Sequence, residues 1–541
     1  MLAQLLTPVG DSLAWSAGVA LLPILAVLLC LGVLKRAAWQ AACAGLAVAL
    51  VVAVAVWKMP ARVVFAAACD GAVFALWPVM WIVINALLLY NIAVASGRFE
   101  AFRDWVTTHL PNDRRVVLIV IGFCFGALLE GIAGFGAPVA ITGSLLIMVG
   151  FPALDALVFV LIFDTTPVAF GALGAPVTVL SAVTGLPAPA LAAMIGRQLP
   201  LMAMILPLYV TVLYGGWRSA RALWPLLLIA GVSFGAVQFA ASNYLDYTLT
   251  DVLAALGSLL ATVAFLKMWR PAVDPKFSIE LPSFAGGAAP LRTIGVWQGW
   301  IPWVIVSATV IGWTFFKVAA IGQMNIPWPA LDRAVSITLY GGKPYQAVWL
   351  FQPLGTGTAI LLAALATAMV VRLSPLELGR CMLRTVRQIW LAVVTVMLVV
   401  ALAYVMNYAG LAYTLGLAVA SSGRAFILLS PFLGWVAVFL SGSDTSGNAL
   451  FGNLQVIAAR QLHLSPILFA ATNSSGGMLG KMISPQNIAT GVAVTHLKGA
   501  EGLVFSRTFI HSIIMTLLLV AIVAVQQHLL PGIIPSVPAA H

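Results

Sequence analysis

Along this chain apolar residues run for about 20 positions at a time, broken by short polar or basic connections, from one end to the other. A helix of that length crosses roughly 30 Å of hydrocarbon, so the pattern predicts an all-α polytopic membrane protein. The runs place spans near residues 13–34, 38–57, 62–96, 115–130, 191–214, 221–240 and 250–267. Further spans follow near 298–318, 351–371, 388–407, 425–441 and 504–530. The prediction is about 12 spans in a single transmembrane domain, residues 1–541, with no interval polar enough to build a soluble domain. The first run has no basic start and ends at Lys35-Arg36, so it reads as a first span rather than a cleaved leader.

Two stretches break the pattern and resemble distorted copies of one another. The first runs from Glu130 to Pro176 and the second from Ser441 to Pro485. In each an acid precedes a proline by 22 residues, Glu130 before Pro152 and Asp444 before Pro466. In each a small polar triplet lies 12 residues before another proline: Asp164-Thr165-Thr166 before Pro176, Asn473-Ser474-Ser475 before Pro485. Gly134, Gly136, Pro138 and Pro176 in one copy, and Gly476, Gly477 and Pro485 in the other, are expected to interrupt helices. Interrupted helices in a bilayer are tolerated beside protein or a watery cavity, and their N-termini attract anions. Such tips, with donors from Thr165, Thr166, Ser443, Thr445, Ser446, Asn473, Ser474 and Ser475, would seat a small carboxylate. The alternative is close helix packing through small residues, which accounts for Gly and Ala but not for Glu130, Asp444 and Lys481.

Composition agrees with a membrane solvent: 62% of residues are hydrophobic, 8% are charged, and mean hydropathy is +1.07. The net charge of +11 is no sign of nucleic-acid binding, because the basic residues sit mostly in short loops. The connection from Gly97 to Arg115, with Arg98, Arg103, Arg114 and Arg115, is expected inside, as are Lys267–Arg292 and the Arg372–Arg387 segment. The loop near 319–350 is expected outside. With these assignments the two related stretches enter the membrane in opposite directions, as in inverted-repeat transporters. The first repeat is expected over roughly 62–240 with its hairpin at 130–176, the second over roughly 351–530 with its hairpin at 441–485. Cys30, Cys43, Cys69, Cys124 and Cys381 show neither disulfide nor metal spacing. No cofactor or metal site and no nucleophile–base pair of an enzyme is expected.

Charges inside spans are costly and point to function by default. Glu130 and Asp444 occupy the same place in the two copies and could carry protons or cap broken helices. Asp164 could titrate or only cap. Arg197 could pair with a substrate carboxylate in bidentate fashion, or snorkel to the interface. Lys481 could neutralise Asp444 or the substrate. Arg460 and His463 read as solvated, His511 as structural, and Asp70 and Asp155 are assigned nothing.

GFCFGALLEGIAGFGAPVAITG, PVAFGALGAP, GRQLP, FLGWVAVFLSGSDTSGNALF and GGMLGKMISPQ together resemble the L-lactate permease family, over nearly the whole chain. The resemblance implies a bacterial inner-membrane symporter taking up lactate, and often glycolate, with a proton, its positions here being Glu130, Arg197, Asp444, Lys481 and the two triplets. It implies the lipid bilayer as environment and a small monocarboxylate and a proton as partners; homo-oligomerisation stays open. The family often begins the first triplet with Asn, where this chain has Asp164. Sodium-coupled carboxylate transport is the alternative, since broken-helix carbonyls with Asn and Ser oxygens also suit sodium.

Overall fold

The computed structural model describes residues 1–34, 36–101, 110–132, 137–272, 274–278, 295–340, 342–495 and 500–536. The chain is predominantly helical. It opens with a two-residue strand β1 (Leu2–Ala3), then α1 (Leu13–Leu28), α2 (Ala38–Ala55) and α3 (Ala61–Ala95). α4 (Arg114–Ile132), α5 (Ala137–Met148), α6 (Ala153–Phe163) and α7 (Gly171–Thr184) carry the first irregular stretch. α8 (Ala188–Tyr244), α9 (Thr250–Met268) and α10 (Ile301–Phe315) lead to a loop, and α11 (Thr356–Val370), α12 (Pro375–Ala409) and α13 (Leu411–Ala420) follow it. α14 (Phe426–Ser441), α15 (Asp444–Gln461), α16 (Pro466–Lys481) and α17 (Pro485–Thr495) carry the second stretch, and α18 (Glu501–His528) follows.

Among the described residues seven helical segments are long and apolar enough to cross a membrane, or nine if each of two bent pairs counts as one. The bends are 61° between α6 and Val168–Thr184 and 106° between α13 and Gly423–Phe439. α8 is 57 residues long, about 85 Å if it were straight at the usual rise. It is folded back instead at Gly216, whose φ of 71° with ψ of 177° is open only to glycine. Gly231 then lies on the backbone of Met204 and Gly235 on that of Pro200, so the two halves run antiparallel. This matches the expected pair 191–214 and 221–240.

Three boundaries differ from the sequence reading. α12 begins at Pro375 rather than near 388, because Ser374 and Glu377 form a capping box that starts the helix early. Arg380, Arg384 and Arg387 therefore ride on helix, not in a loop. α13 was not anticipated; Gly410, at φ 103°, separates it from α12. The all-α expectation is corrected in the loop expected outside, where β2 (Met324–Pro327) pairs antiparallel with β5 (Val348–Phe351). There β3 (Val335–Ile337) also pairs with β4 (Lys343–Pro344), and parallel with β1. Short apolar–polar alternation hidden in a polar loop gave too weak a signal for these.

The core is divided. One buried cluster is built around α4, α6, α8, α9 and α16, the other around α1, α2, α3, α12 and α13. α7 belongs to both: Leu173, Val177 and Leu180 face the first, Ala172, Ala175, Val179 and Val183 the second. α15 is shared in the same way, through Val456 and Ala458 on one side and Leu450 and Leu454 on the other.

Candidate functional site

The described residues of the two irregular stretches share the order helix–turn–helix–break–helix, over α5–α7 in the first and α15–α17 in the second. In the first, α4 and α5 flank residues 133–136, so the expected breakers Gly134 and Gly136 lie outside the described residues; Pro138 is the second residue of α5. α5 and α6 are joined by a turn at 149–152, and α6 ends at Asp164. Ala172, Leu173 and Gly174 then adopt left-handed backbone, at φ 46°, 55° and 78°, before Pro176. Two of these are not glycine, so the turn is strained and is held by its surroundings. In the second stretch Gly442, at φ 72°, ends α14, and Ser443 opens α15. A break at 482–484 separates α16 from Pro485, the first residue of α17.

The breaks converge. Lys481, in the last turn of α16, is buried and donates to Glu130 Oε1 at 2.6 Å, while its Nζ lies 3.1 Å from Asp164 Oδ2. Glu130, near the end of α4, and Asp164, at the end of α6, thus share one cation supplied by the other stretch. Glu130 Oε2 and Asp164 Oδ1 have no hydrogen-bond partner among the described residues. Gly171 makes room for the pair: a β-carbon there would press on Glu130 Oε1.

Asp444 is not paired with Lys481 in this arrangement. It lies in the first turn of α15, where its Oδ2 accepts from Ser474 Oγ at 2.5 Å and from Asn448 Nδ2 at 3.2 Å. Its Oδ1 has no such partner among the described residues. Asn448 also donates to the carbonyl of Pro176 at 3.3 Å, stitching α15 to the break in α7. Asn473 donates to Asn448 Oδ1 at 2.9 Å and accepts from Gln455 at 2.8 Å. Asn487 ties the two breaks of the second stretch, donating to the carbonyls of Gly442 and Lys481, each at 3.3 Å. One cavity is lined by Glu130, Lys481, Ser443, Asp444, Thr445 and Pro176, among others.

Several expected positions behave differently. Asn473, Ser474 and Ser475 are buried in the middle of α16, not at a hairpin tip, and so are Gly476 and Gly477. Those two glycines do not break the helix. A β-carbon on Gly476 would strike the Pro431 carbonyl of α14, and one on Gly477 would strike Asp444 and Val438, so they permit close approach. Thr165 spends its hydroxyl on the Ile162 carbonyl at 2.7 Å, and the Thr166 carbonyl accepts from Gln238 at 3.3 Å. Ser443 precedes α15 without a side-chain cap bond, and Ser446 is buried in its first turn.

Arg197 is not gathered with the acids. Its Nε donates to Asn243 Oδ1 at 2.8 Å, and its guanidinium also holds the carbonyl of Ile533 beyond α18. It lines a separate cavity with Pro200, Met204 and Phe239. Its neighbour Gln198 points the other way, accepting from Ser475 Oγ at 2.6 Å and donating to Thr472 Oγ1 at 3.0 Å. Successive helical positions differ by about 100°, so only one of the two can face α16. Sequence reasoning named Arg197, as a substrate partner or an interface anchor, and did not name Gln198 or Asn448; the four-residue spacing of Asp444 and Asn448 was the available signal for the latter.

A family model described as L-lactate permease matches residues 16–530. An L-lactate permease of Bacillus subtilis (strain 168) is 39% identical, over 98% of this chain and 99% of that protein. An L-lactate permease of Escherichia coli (strain K12) is 39% identical over 96% and 97%. A glycolate permease of the same strain is 38% identical over 98% and 99%. Among solved structures, the YdaH transporter of Alcanivorax borkumensis is 12% identical with a TM-score of 0.45, over 85% of this chain and 87% of that one.

Proposed function

The chain belongs to the L-lactate permease family, and from that premise we propose that it imports L-lactate by proton symport across the bacterial cytoplasmic membrane, with D-lactate and glycolate as further substrates. The observation that carries the reading is the buried Lys481 shared by Glu130 and Asp164 beside a cavity that Asp444 also lines. Two carboxylates facing one lysine leave an excess negative charge away from water, which is expensive to keep. A proton from outside relieves that excess, and a small anion can then enter without adding an unpaired charge.

In this reading Lys481 is the cation that meets the substrate carboxylate. The opened backbone at Ser443, Asp444 and Thr445, the N-terminus of α15, adds N–H donors and a favourable dipole. Glu130, Asp164 and Asp444 divide the proton among them. Asn448, Asn473, Ser474 and Ser475 position these groups rather than touching substrate, and Arg197 serves to hold the C-terminal segment. The repeats at 62–240 and 351–530 move against one another as an inverted pair, in the manner of alternating access. Counting α8 as two spans and adding the short apolar helices α1 and α11 brings the spans to about 12.

Uptake of labelled lactate into proteoliposomes tests the reading. An inward proton gradient should drive accumulation with sodium absent. Accumulation that follows sodium at fixed pH, and ignores a proton gradient, sinks it. One observation favours that sodium-coupled second reading: Asp444 Oδ1 lacks a hydrogen-bond partner among the described residues beside the hydroxyl-bearing Ser443 and Thr445.

A further inference from the structure

Asp251 is the second residue of α9 and is 1% exposed, yet neither of its carboxylate oxygens meets a donor in good hydrogen-bond geometry among the described residues. The ordinary role of an acid at this place is to cap the helix. Here the turn ahead of α9 is capped by Asp246, whose Oδ1 accepts from the Thr248 backbone at 2.8 Å and from the Thr248 hydroxyl at 2.7 Å. Asp251 caps nothing, and among the described residues it forms no salt bridge.

What it faces is the charged cluster. Its Cβ stands so close to Gly131, the residue after Glu130, that a β-carbon on Gly131 would lie 3.0 Å away. Through Gly131 it adjoins Glu130 of α4, which shares Lys481 of α16 with Asp164 of α6. From α8 the amide of Gln238 is its polar neighbour, a donor it shares with the Thr166 carbonyl, to which that amide donates at 3.3 Å. On the other side, four residues earlier, Tyr247 pairs its hydroxyl with Thr178 at 3.1 Å. Tyr247 and Thr178 line the larger cavity that Asp70, Tyr404 and Arg460 also line. Asp251 therefore stands at the start of α9 against Gly131, four residues after a tyrosine that lines that cavity.

Lys481 pairs with two carboxyls, Glu130 and Asp164, while Asp251 and Asp444 are two further buried carboxyls that no cation pairs with among the described residues. A buried carboxylate without a paired cation is among the most costly groups a membrane protein can hold, and a proton is the partner that removes the cost. We propose that Asp251 is a coupling residue that acts through the cluster, exchanging one proton with Glu130 during transport. In that step the O–H bond on one carboxyl breaks as an O–H bond on the other forms, and nothing else changes. The inference rests on the proton-symport reading.

The test compares wild type, Asp251→Asn and Asp251→Glu in proteoliposomes by two assays, gradient-driven accumulation and lactate exchange at equal pH. Asp251→Asn should lose accumulation and keep exchange, because exchange needs no net proton release. Asp251→Glu should accumulate lactate with a shifted pH profile. Wild type that ignores a proton gradient defeats the symport reading itself. Wild type that responds, with Asp251→Asn accumulating normally, overturns the role of Asp251 alone. Loss of both assays in Asp251→Asn, together with an unshifted profile in Asp251→Glu, also overturns it, since that pattern marks a structural role.

Discussion

Lys481 is the residue on which the site closes, because it joins Glu130 and Asp164 of one stretch to a helix of the other. Removing one partner of a buried ion pair costs about 3–5 kcal/mol when the remaining charge is left unmatched. Lys481→Gln should therefore abolish uptake and lower the thermal midpoint in detergent. Adding Glu130→Gln to that variant should recover part of the midpoint and none of the uptake; a double variant no more stable than Lys481→Gln would mean that the pair does not bear on stability. Arg197 makes the opposite case. Its guanidinium is spent on Asn243 and Ile533, so Arg197→Ala should lower the melting midpoint and leave the KM for lactate unchanged. A raised KM at normal stability would return Arg197 to the substrate site. Gln198, which serves both Ser475 and Thr472, should cost about 1–3 kcal/mol when replaced by Ala. Chemical unfolding of the purified protein measures it.

At the level of elements, the second stretch packs closely through glycines. α14, α15 and α16 pack on one another through glycines, with Gly434, Gly476 and Gly480 lying directly on neighbouring backbone. Gly476→Leu should prevent a folded product, seen as loss of a monodisperse peak in size-exclusion chromatography, because the Pro431 backbone has no room to move aside. The first copy is instead bent, with a left-handed turn at 172–174 beside Tyr247. That contrast explains why repeated glycines misled the sequence reading. A glycine is the same letter whether it opens a helix, as Gly442 does, or lets two helices touch, as Gly476 and Gly477 do. Gly216 is a third use: φ and ψ there exclude a β-carbon, and Gly216→Ala should destabilise the fold in α8 by about 1–3 kcal/mol.

For the whole molecule, α7 and α15 each belong to two buried clusters, and the cavity is lined by residues of both helices. A ligand seated there touches residues from both stretches. Binding to the folded state alone raises stability with ligand concentration, so lactate should raise the thermal midpoint of wild type and leave that of Lys481→Gln unchanged.

Apolar run length alone established a polytopic helical protein, and the echo between 130–176 and 441–485 marked stretches where the described helices are interrupted at 172–174, 442 and 482–484. Both follow from local chemistry: a bilayer demands long apolar helices, and Pro, Gly and acids disturb them wherever they occur. Partner choice did not follow. That Lys481 meets Glu130 across 351 positions rather than Asp444, that Gln198 and not Arg197 faces α16, and that Asp251 lies against Gly131 were decided by packing. Which face of a helix meets which neighbour depends on contacts between segments far apart in the chain, and no run of letters carries that information.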